Sequence, residues 1–455
     1  MNDLLWRLED ILRAGLAQHK VPGASLAVYA GEALYEVAAG VLNMDTQVEA
    51  TTNSLFHIAS ITKPMVATIA MQLVDEGRLD LDAPVRRYLP NFRVASDDVS
   101  RTVTVRHLLT HSSGIDGDFF KETTRGEDRI ERLVEAASGL KQLHQLGDGF
   151  SYCNFGFTVL GRIFEVLDGI DFDSLWKRRI AEKLGAPTMV TLAEDALRYR
   201  VAVGHLPGKT GAQVTPLLFL APSNGPAGAT PMMRARDLID FGLLHLNDGV
   251  TRSGGAVLKA ESARAMREPH NRLPEGAPAS HFGLAWMLFD WNGAKLYGHD
   301  GLSIGQRSYL RILPAKRMVF ALLTNGGDGG GLYRELAAPL FQALANVEMP
   351  AIARPDADRK IEAQRYVGTY TKRSARIEIS EAGGALMMTL IPLDDWAIKI
   401  RGTDGPYPLE PTAPDIFIWR VPGMAEPGLV HFLSPDAEGR PTVLHSGFRM
   451  HVRQG

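Results

Sequence analysis

The sequence predicts an α+β protein, a large domain with strands at both ends and helices between, followed by a small all-β barrel. Three observations predict it. Strand patterns come early and late in the first 345 residues, so the two ends of that region meet in one sheet. A proline-marked stretch at 349–358 then shifts the composition, and beyond it short apolar segments alternate with Gly, Pro and Asp clusters. The chain's 455 residues also exceed what one hydrophobic core usually serves. The expected boundaries are 1–347 for the first domain, 348–360 for a linker and 361–455 for the barrel.

In chain order, residues 1–12 carry acids within a helical apolar repeat and read as an amphipathic helix. Residues 24–30 and 33–40 read as strands joined through Gly31-Glu32, a hairpin. A helix opens at Ser60, with Pro64 in its first turn, Met65, Ile69, Met71, Leu73 and Val74 along it, and Gly77 as its stop. Helical material is expected around 127–145 and 154–167, strands at 296–299, 308–313 and 318–324, and a helix at 332–345. In the barrel region, 376–379, 385–390, 416–419 and 429–432 read as strands.

The net charge of −3, from 49 basic and 52 acidic residues, gives no footprint for nucleic acid or an anionic membrane, which leaves a small-molecule or peptide substrate as the expected partner. Cys153 is the single cysteine, so neither an intramolecular disulfide nor a cysteine metal cage can form, and no metal or other cofactor is expected. The N-terminus has no basic segment followed by an apolar run, which reads as no export signal and a cytoplasmic location. The sequence does not give an oligomeric state.

Ser60-Ile61-Thr62-Lys63 sets a hydroxyl and an amine one helical turn apart, at a helix N-terminus that favours a developing oxyanion. A desolvated amine can take the proton of such a serine. The spacing alone is weak, because Ser138-Gly139-Leu140-Lys141 repeats it and a capping serine followed by a surface lysine explains either. Tyr152-Cys153-Asn154 follows a glycine-rich loop, which suits a presented phenol and an amide that both donates and accepts, or else a buried tyrosine and a capping asparagine. Gly298-His299-Asp300-Gly301 ends an apolar strand, where glycine permits close approach of a ligand.

The order Ser-x-x-Lys, Tyr-x-Asn, His-x-Gly resembles the serine β-lactamase and penicillin-binding-protein fold, in the branch of class C β-lactamases, D-Ala-D-Ala carboxypeptidases, D-aminopeptidases and esterases. Matching phrases span most of residues 20–345, among them "FHIASITKPMVATIAMQLVDEG", "TVRHLLTHSSGI", "FSYCNFGFTVLG" and "GHDGLSIGQRSYLRILP". The resemblance implies a β-lactamase/transpeptidase-like domain, an antiparallel sheet flanked by helices plus an all-helical subdomain. Tyr366-Val367-Gly368-Thr369-Tyr370 is similar to the opening of the lipocalin-like barrel appended to some of these hydrolases. Lys209-Thr210-Gly211 matches the third motif of many β-lactamases, but with no preceding strand it is assigned to a surface loop.

By the same resemblance, Ser60 attacks an ester, thioester or amide carbonyl to give an acyl-enzyme. Lys63 and Tyr152 share the proton handling, with the choice of base left open. The backbone N–H groups of Ser60 and Leu302, beside Gly301, form the oxyanion hole, Asn154 positions Lys63 and the substrate amide, and His299 orients Tyr152. Asp300 departs from the Thr or Ser usual there, and an ionised aspartate repels a substrate carboxylate by about 1–4 kcal/mol at ~4 Å. This favours an esterase, amidase or D-aminopeptidase over a β-lactamase, unless Asp300 caps a turn and faces away. Arg449 reads either as a guanidinium at the cleft rim that binds a carboxylate or, the reading favoured by its strand, as a solvated arginine. Two further readings stand: a penicillin-binding-protein-type thioesterase that cyclises peptides, and a non-catalytic ligand-binding or sensor protein on the same fold.

Overall fold

The computed structural model describes every residue except Met1, Lys209, Thr210 and Arg401. Strand β1 (Gly23–Ala30) and strand β2 (Ala33–Asn43) form the expected hairpin. Gly31 and Glu32 at its turn both have positive φ, 57° and 64°, as a two-residue hairpin turn that matches the strand twist requires. With β3 (Val48–Glu49), β4 (Asn271–Arg272), β5 (His281–Phe282), β6 (Met287–Trp291), β7 (Ala294–Leu302), β8 (Arg307–Leu313) and β9 (Met318–Thr324), they make an antiparallel sheet in the order β3-β2-β1-β9-β8-β7-β6-β5-β4. The chain ends meet at β1 and β9, with Ala24 opposite Thr324 and Val28 opposite Phe320.

One face of the sheet packs against helices α1 (Leu8–His19) and α5 (Gly329–Ala345), through Leu8, Leu12, Leu16, Leu332, Leu336 and Leu340. The other packs against the helical region of α2 (Thr62–Asp75), α3 (Asn154–Asp168) and α4 (Ala235–Leu246). Strand β7 matters most for the site. It pairs with β8 along Tyr297–Leu302 but with β6 only along Ala294–Gly298, so the register leaves one edge of 299–302 without a neighbouring strand.

The helix expected over 127–145 is only Arg129–Glu135. Ser138-Gly139 interrupts it, and the following backbone pairs instead with the segment before it: Lys141 O accepts from Asp116 N at 2.9 Å and Leu143 N donates to Gly114 O at 2.7 Å. Ser138 and Lys141 therefore share no helical face. The helix expected at 332–345 starts three residues earlier, where the Asp328 carboxylate accepts from Gly331 N at 2.9 Å.

The C-terminal region is a closed antiparallel barrel of eight strands, β10 (Gly368–Lys372), β11 (Ala375–Ala382), β12 (Ala385–Pro392), β13 (Asp404–Ala413), β14 (Ile416–Trp419), β15 (Gly428–Pro435), β16 (Pro441–Ser446) and β17 (Arg449–Arg453). Tyr370 opposite Arg453 closes it, and Tyr370, Ile377, Met388, Phe417, Phe432 and Leu444 fill it. Among the described residues, no helix is long and apolar enough to cross a membrane.

Candidate active site

Three elements converge beside the open edge of β7. Ser60 lies in a short 3-10 turn, Ala59–Ile61, immediately ahead of α2, so Lys63 in the first turn of α2 stands over it. Ala59 holds a φ of +47°, uncommon for a residue with a side chain, and the backbone strain sits next to the nucleophile candidate. Gly228 packs on this turn so closely that a Cβ there would run into the Ala59 carbonyl.

Lys63 is fully buried; its Nζ donates to Ser60 Oγ at 3.1 Å and to the Ala227 carbonyl at 2.6 Å. It also lies 4.8 Å from the centre of the Tyr152 ring. Burial, then the charge of Arg449, push the amine well below its ordinary value, with Asp118 and Cys153 opposing. The shift is toward the uncharged amine that a base requires.

Tyr152 precedes α3 and is 6% exposed. Burial raises its hydroxyl well above the ordinary range, against a hydrogen bond with Ser60 and the charge of Arg449, which keeps the phenol protonated. The ring stacks on His111, centroids 4.1 Å apart. His299 Nδ1 donates to the Asp300 carbonyl at 2.6 Å, which leaves Nε2 as an acceptor 3.5 Å from the Tyr152 hydroxyl. Burial, then the charge of Lys63, push His299 down to about 3, so it is neutral. Ser60, Lys63, Tyr152 and His299 therefore form one group, and Leu302, 64% exposed, ends β7 beside Gly301. A side chain on Gly301 would collide with Ser308 Oγ and the Ile58 carbonyl, so glycine lets β7 approach the Ser60 turn.

Three expectations need correction. Asn154 does not hold Lys63: its Nδ2 donates to Asp118 Oδ1 at 2.7 Å, and the α3 cap is Cys153, whose Sγ accepts from Gly156 N. Asp300 does not present its carboxylate beside His299. Side chains alternate along β7, and Asp300 sits on the opposite face, where Arg311 Nη1 donates to its Oδ1 at 2.5 Å. With that charge paired, the repulsion expected of Asp300 loses its basis. Arg449 is not a solvated strand arginine: its guanidinium lies 4.9 Å from the Tyr152 ring centre, and its Nε donates to Asp118 Oδ2 at 2.7 Å.

A cavity of about 750 Å³ opens on the Asp300 face of β7, lined by Tyr309, Arg311, Tyr333 and the barrel's Glu426; Ser60, Lys63, Tyr152 and His299 do not line it. Lys209 and Thr210 lie outside the described residues, but the expectation that no strand precedes them is overturned, since His205–Gly208 is a strand that pairs antiparallel with Gly211–Val214. No cluster of His, Cys, Asp or Glu among the described residues could hold a metal ion. His111, Asp118 and Lys372 were not singled out from sequence, although His111 falls in the phrase ending Thr110-His111-Ser112-Ser113-Gly114.

A family model described as Beta-lactamase matches residues 8–345. Penicillin-binding protein 4 of Amycolatopsis lactamdurans is 43% identical over 369 residues, covering 80% of this chain and 96% of that protein. Among solved structures, SurE shares 27% identity at a TM-score of 0.78 with all of both chains covered, and SurE with D-Leu shares 26% at 0.76. The octameric penicillin-binding protein homologue from Pyrococcus abyssi, at 23% identity and a TM-score of 0.66 over 98% of this chain and 99% of that one, shares the fold.

Proposed function

Because this chain belongs to the Beta-lactamase family, we propose that it is a serine hydrolase that forms an acyl-enzyme through Ser60 on amide or ester substrates, of the amidase, esterase or D-aminopeptidase type. The observation that carries the reading is the fully buried Lys63 amine 3.1 Å from Ser60 Oγ, with the Tyr152 phenol on the same hydroxyl.

The opposed shifts of the two partners divide their work. Lys63, uncharged, takes the Ser60 proton as Oγ bonds to the substrate carbonyl carbon. Tyr152, kept protonated, gives its proton to the departing amine or alcohol as the carbonyl reforms, and the Lys63 ammonium reprotonates it. Water then attacks the acyl-ester with the same roles: Lys63 takes a water proton, Tyr152 gives its proton to Ser60 Oγ as that oxygen departs, and the Lys63 ammonium again reprotonates Tyr152. The backbone N–H groups of Ser60 and Leu302 receive the oxyanion, each worth about 3–4 kcal/mol by comparison with other hydrolases. His299 accepts from Tyr152 and sets the direction of its hydroxyl.

A second reading, transfer of a peptidyl group to an amine, draws support from Arg449 against Tyr152, where a guanidinium suits an acceptor carboxylate, and from the likeness to SurE, solved with D-Leu. A fluorophosphonate probe read by intact mass tests the common step: one adduct on the wild type and none on Ser60→Ala is expected, and equal labelling of both overturns it. Incubation with p-nitrophenyl esters, D- and L-amino-acid amides and peptidyl thioesters separates the readings, since cyclised product from the thioesters puts transfer ahead of hydrolysis.

A further inference from the structure

Asp118 lies in the catalytic domain, is 9% exposed and carries more polar partners than the catalytic proposal uses. Asn154 Nδ2 donates to its Oδ1 at 2.7 Å, and Lys372 Nζ of β10 and Arg449 Nε of β17 each donate to its Oδ2 at 2.7 Å. Both cations come from the barrel, 254 and 331 residues along the chain. The barrel also grips the loop of Tyr152 from behind: Tyr152 N donates to the Phe448 carbonyl at 2.8 Å and Met450 N donates to Ser151 Oγ at 3.2 Å.

We infer that Asp118, Lys372 and Arg449 are positioning residues of the acyl-transfer site, a buried ionic junction by which the barrel fixes Asn154 and Tyr152 and sets the charge felt by Lys63. The inference rests on the catalytic reading of Ser60 and Lys63 and adds the barrel to that site. The Asp118 carboxylate is opposed in ionising by its burial but more than compensated by Arg449 and Lys372, so it is held charged.

The titratable or charged groups facing Lys63 are His111, Asp118, Tyr152, Cys153, His299 and Arg449. Burial holds four of them neutral: His111 and His299 are pushed down, Tyr152 and Cys153 up. Asp118 and Arg449 remain as the full charges, and they act on Lys63 in opposite senses. They also oppose each other on Tyr152, with the same signs, so the outcome does not depend on which of the two is the base.

The test titrates Lys63 Nζ by NMR in full-length protein carrying nitrogen-15 lysine, beside the pH profile of Ser60 labelling by a fluorophosphonate. Asp118→Asn is expected to lower the Lys63 titration and the acid limb of labelling by at least about half a pH unit, and Arg449→Gln to raise both by a similar amount. The double variant, which removes both charges, should return toward the wild type, and Arg449→Lys should behave as the wild type. Shifts of one sign in both single variants, or unmoved titrations with uniformly slower labelling, overturn the inference. Thermal unfolding shows which variants fold, and Arg449→Gln against Arg449→Lys decides alone where Asp118→Asn does not. The NMR titration reads the junction whether or not Ser60 reacts, so an unlabelled wild type sinks only the catalytic reading.

Discussion

Lowering the pH acts on imidazoles packed inside the β-lactamase-like domain. His57, His111, His245 and His299 are each at most 2% exposed. Burial pushes His57 down to about 4 and His245 and His299 down to about 3, and His111 falls well below 6.5 for the same reason. Between those values and 6.5 the unfolded chain binds protons that the folded chain refuses, so their contribution is complete above 6.5 and is lost as pH falls through this window. One pH unit below 6.5, each imidazole removes about 1 kcal/mol, or about 4 for the group. Glu165 works the other way: burial raises it to about 7, so the folded chain gains its proton first and returns about 1 kcal/mol over the same step. These five groups together lose about 3 kcal/mol, a large share of ordinary domain stability, and His205 with the barrel's His445 and His451, all pushed down by burial, add to the loss in the same direction. Urea unfolding followed by tryptophan fluorescence measures it, with Trp176 and Trp286 as buried reporters. In His245→Phe the loss should shrink by about 1 kcal/mol; the Nδ1 it removes has no partner, and the Thr68 hydroxyl keeps its bond to the Pro64 carbonyl. An unfolding midpoint that stays put over the pH step, or a pH dependence unchanged in His245→Phe, refutes the reasoning.

Asp300→Thr leaves the Arg311 guanidinium, 3% exposed, without its carboxylate, so unfolding should become easier by about 1–3 kcal/mol, the buried-pair penalty reduced for the exposure of Asp300. The same variant should show no faster acylation by a chromogenic cephalosporin, since the carboxylate it removes lies across β7 from His299. Gly301→Ala forces β7 away from Ser308 and Ile58 and should slow fluorophosphonate labelling about 100-fold while Ser60 and Lys63 remain in place. Cys153 is fully buried and its thiol is pushed up to about 11, so iodoacetamide should modify no cysteine in the native protein and one in denaturant, read by intact mass.

Much of the site was legible because its spacings are local. Ser60 and Lys63 share a helical turn, and the α2 pattern that follows places them. The hairpin at Gly31-Glu32 was legible from its turn chemistry. Two misreadings have physical causes. The expected helix over 127–145 failed because backbone pairing of Gly114 and Asp116 with residues 141–143 outcompetes a weak helix former, a long-range preference that no local window contains. Asp300 was misplaced because the strand was expected to stop at His299. It runs on to Leu302, and strand alternation then sends Asp300 to the face opposite His299.

The barrel's share of the site was hidden for another reason, although half of the clue was present. Tyr370 and Lys372 lie two apart on β10, so once the strand is assigned they share the inward face, and Tyr370 is a fully buried core residue. A lysine in register with a core tyrosine at the end of a barrel strand requires an anion, because an unpaired buried ammonium is too costly to keep. Alternation therefore states the demand. Which carboxylate meets it depends on how the barrel docks, and the same docking brings Arg449 to Asp118 and Tyr152, across separations that no spacing rule reaches.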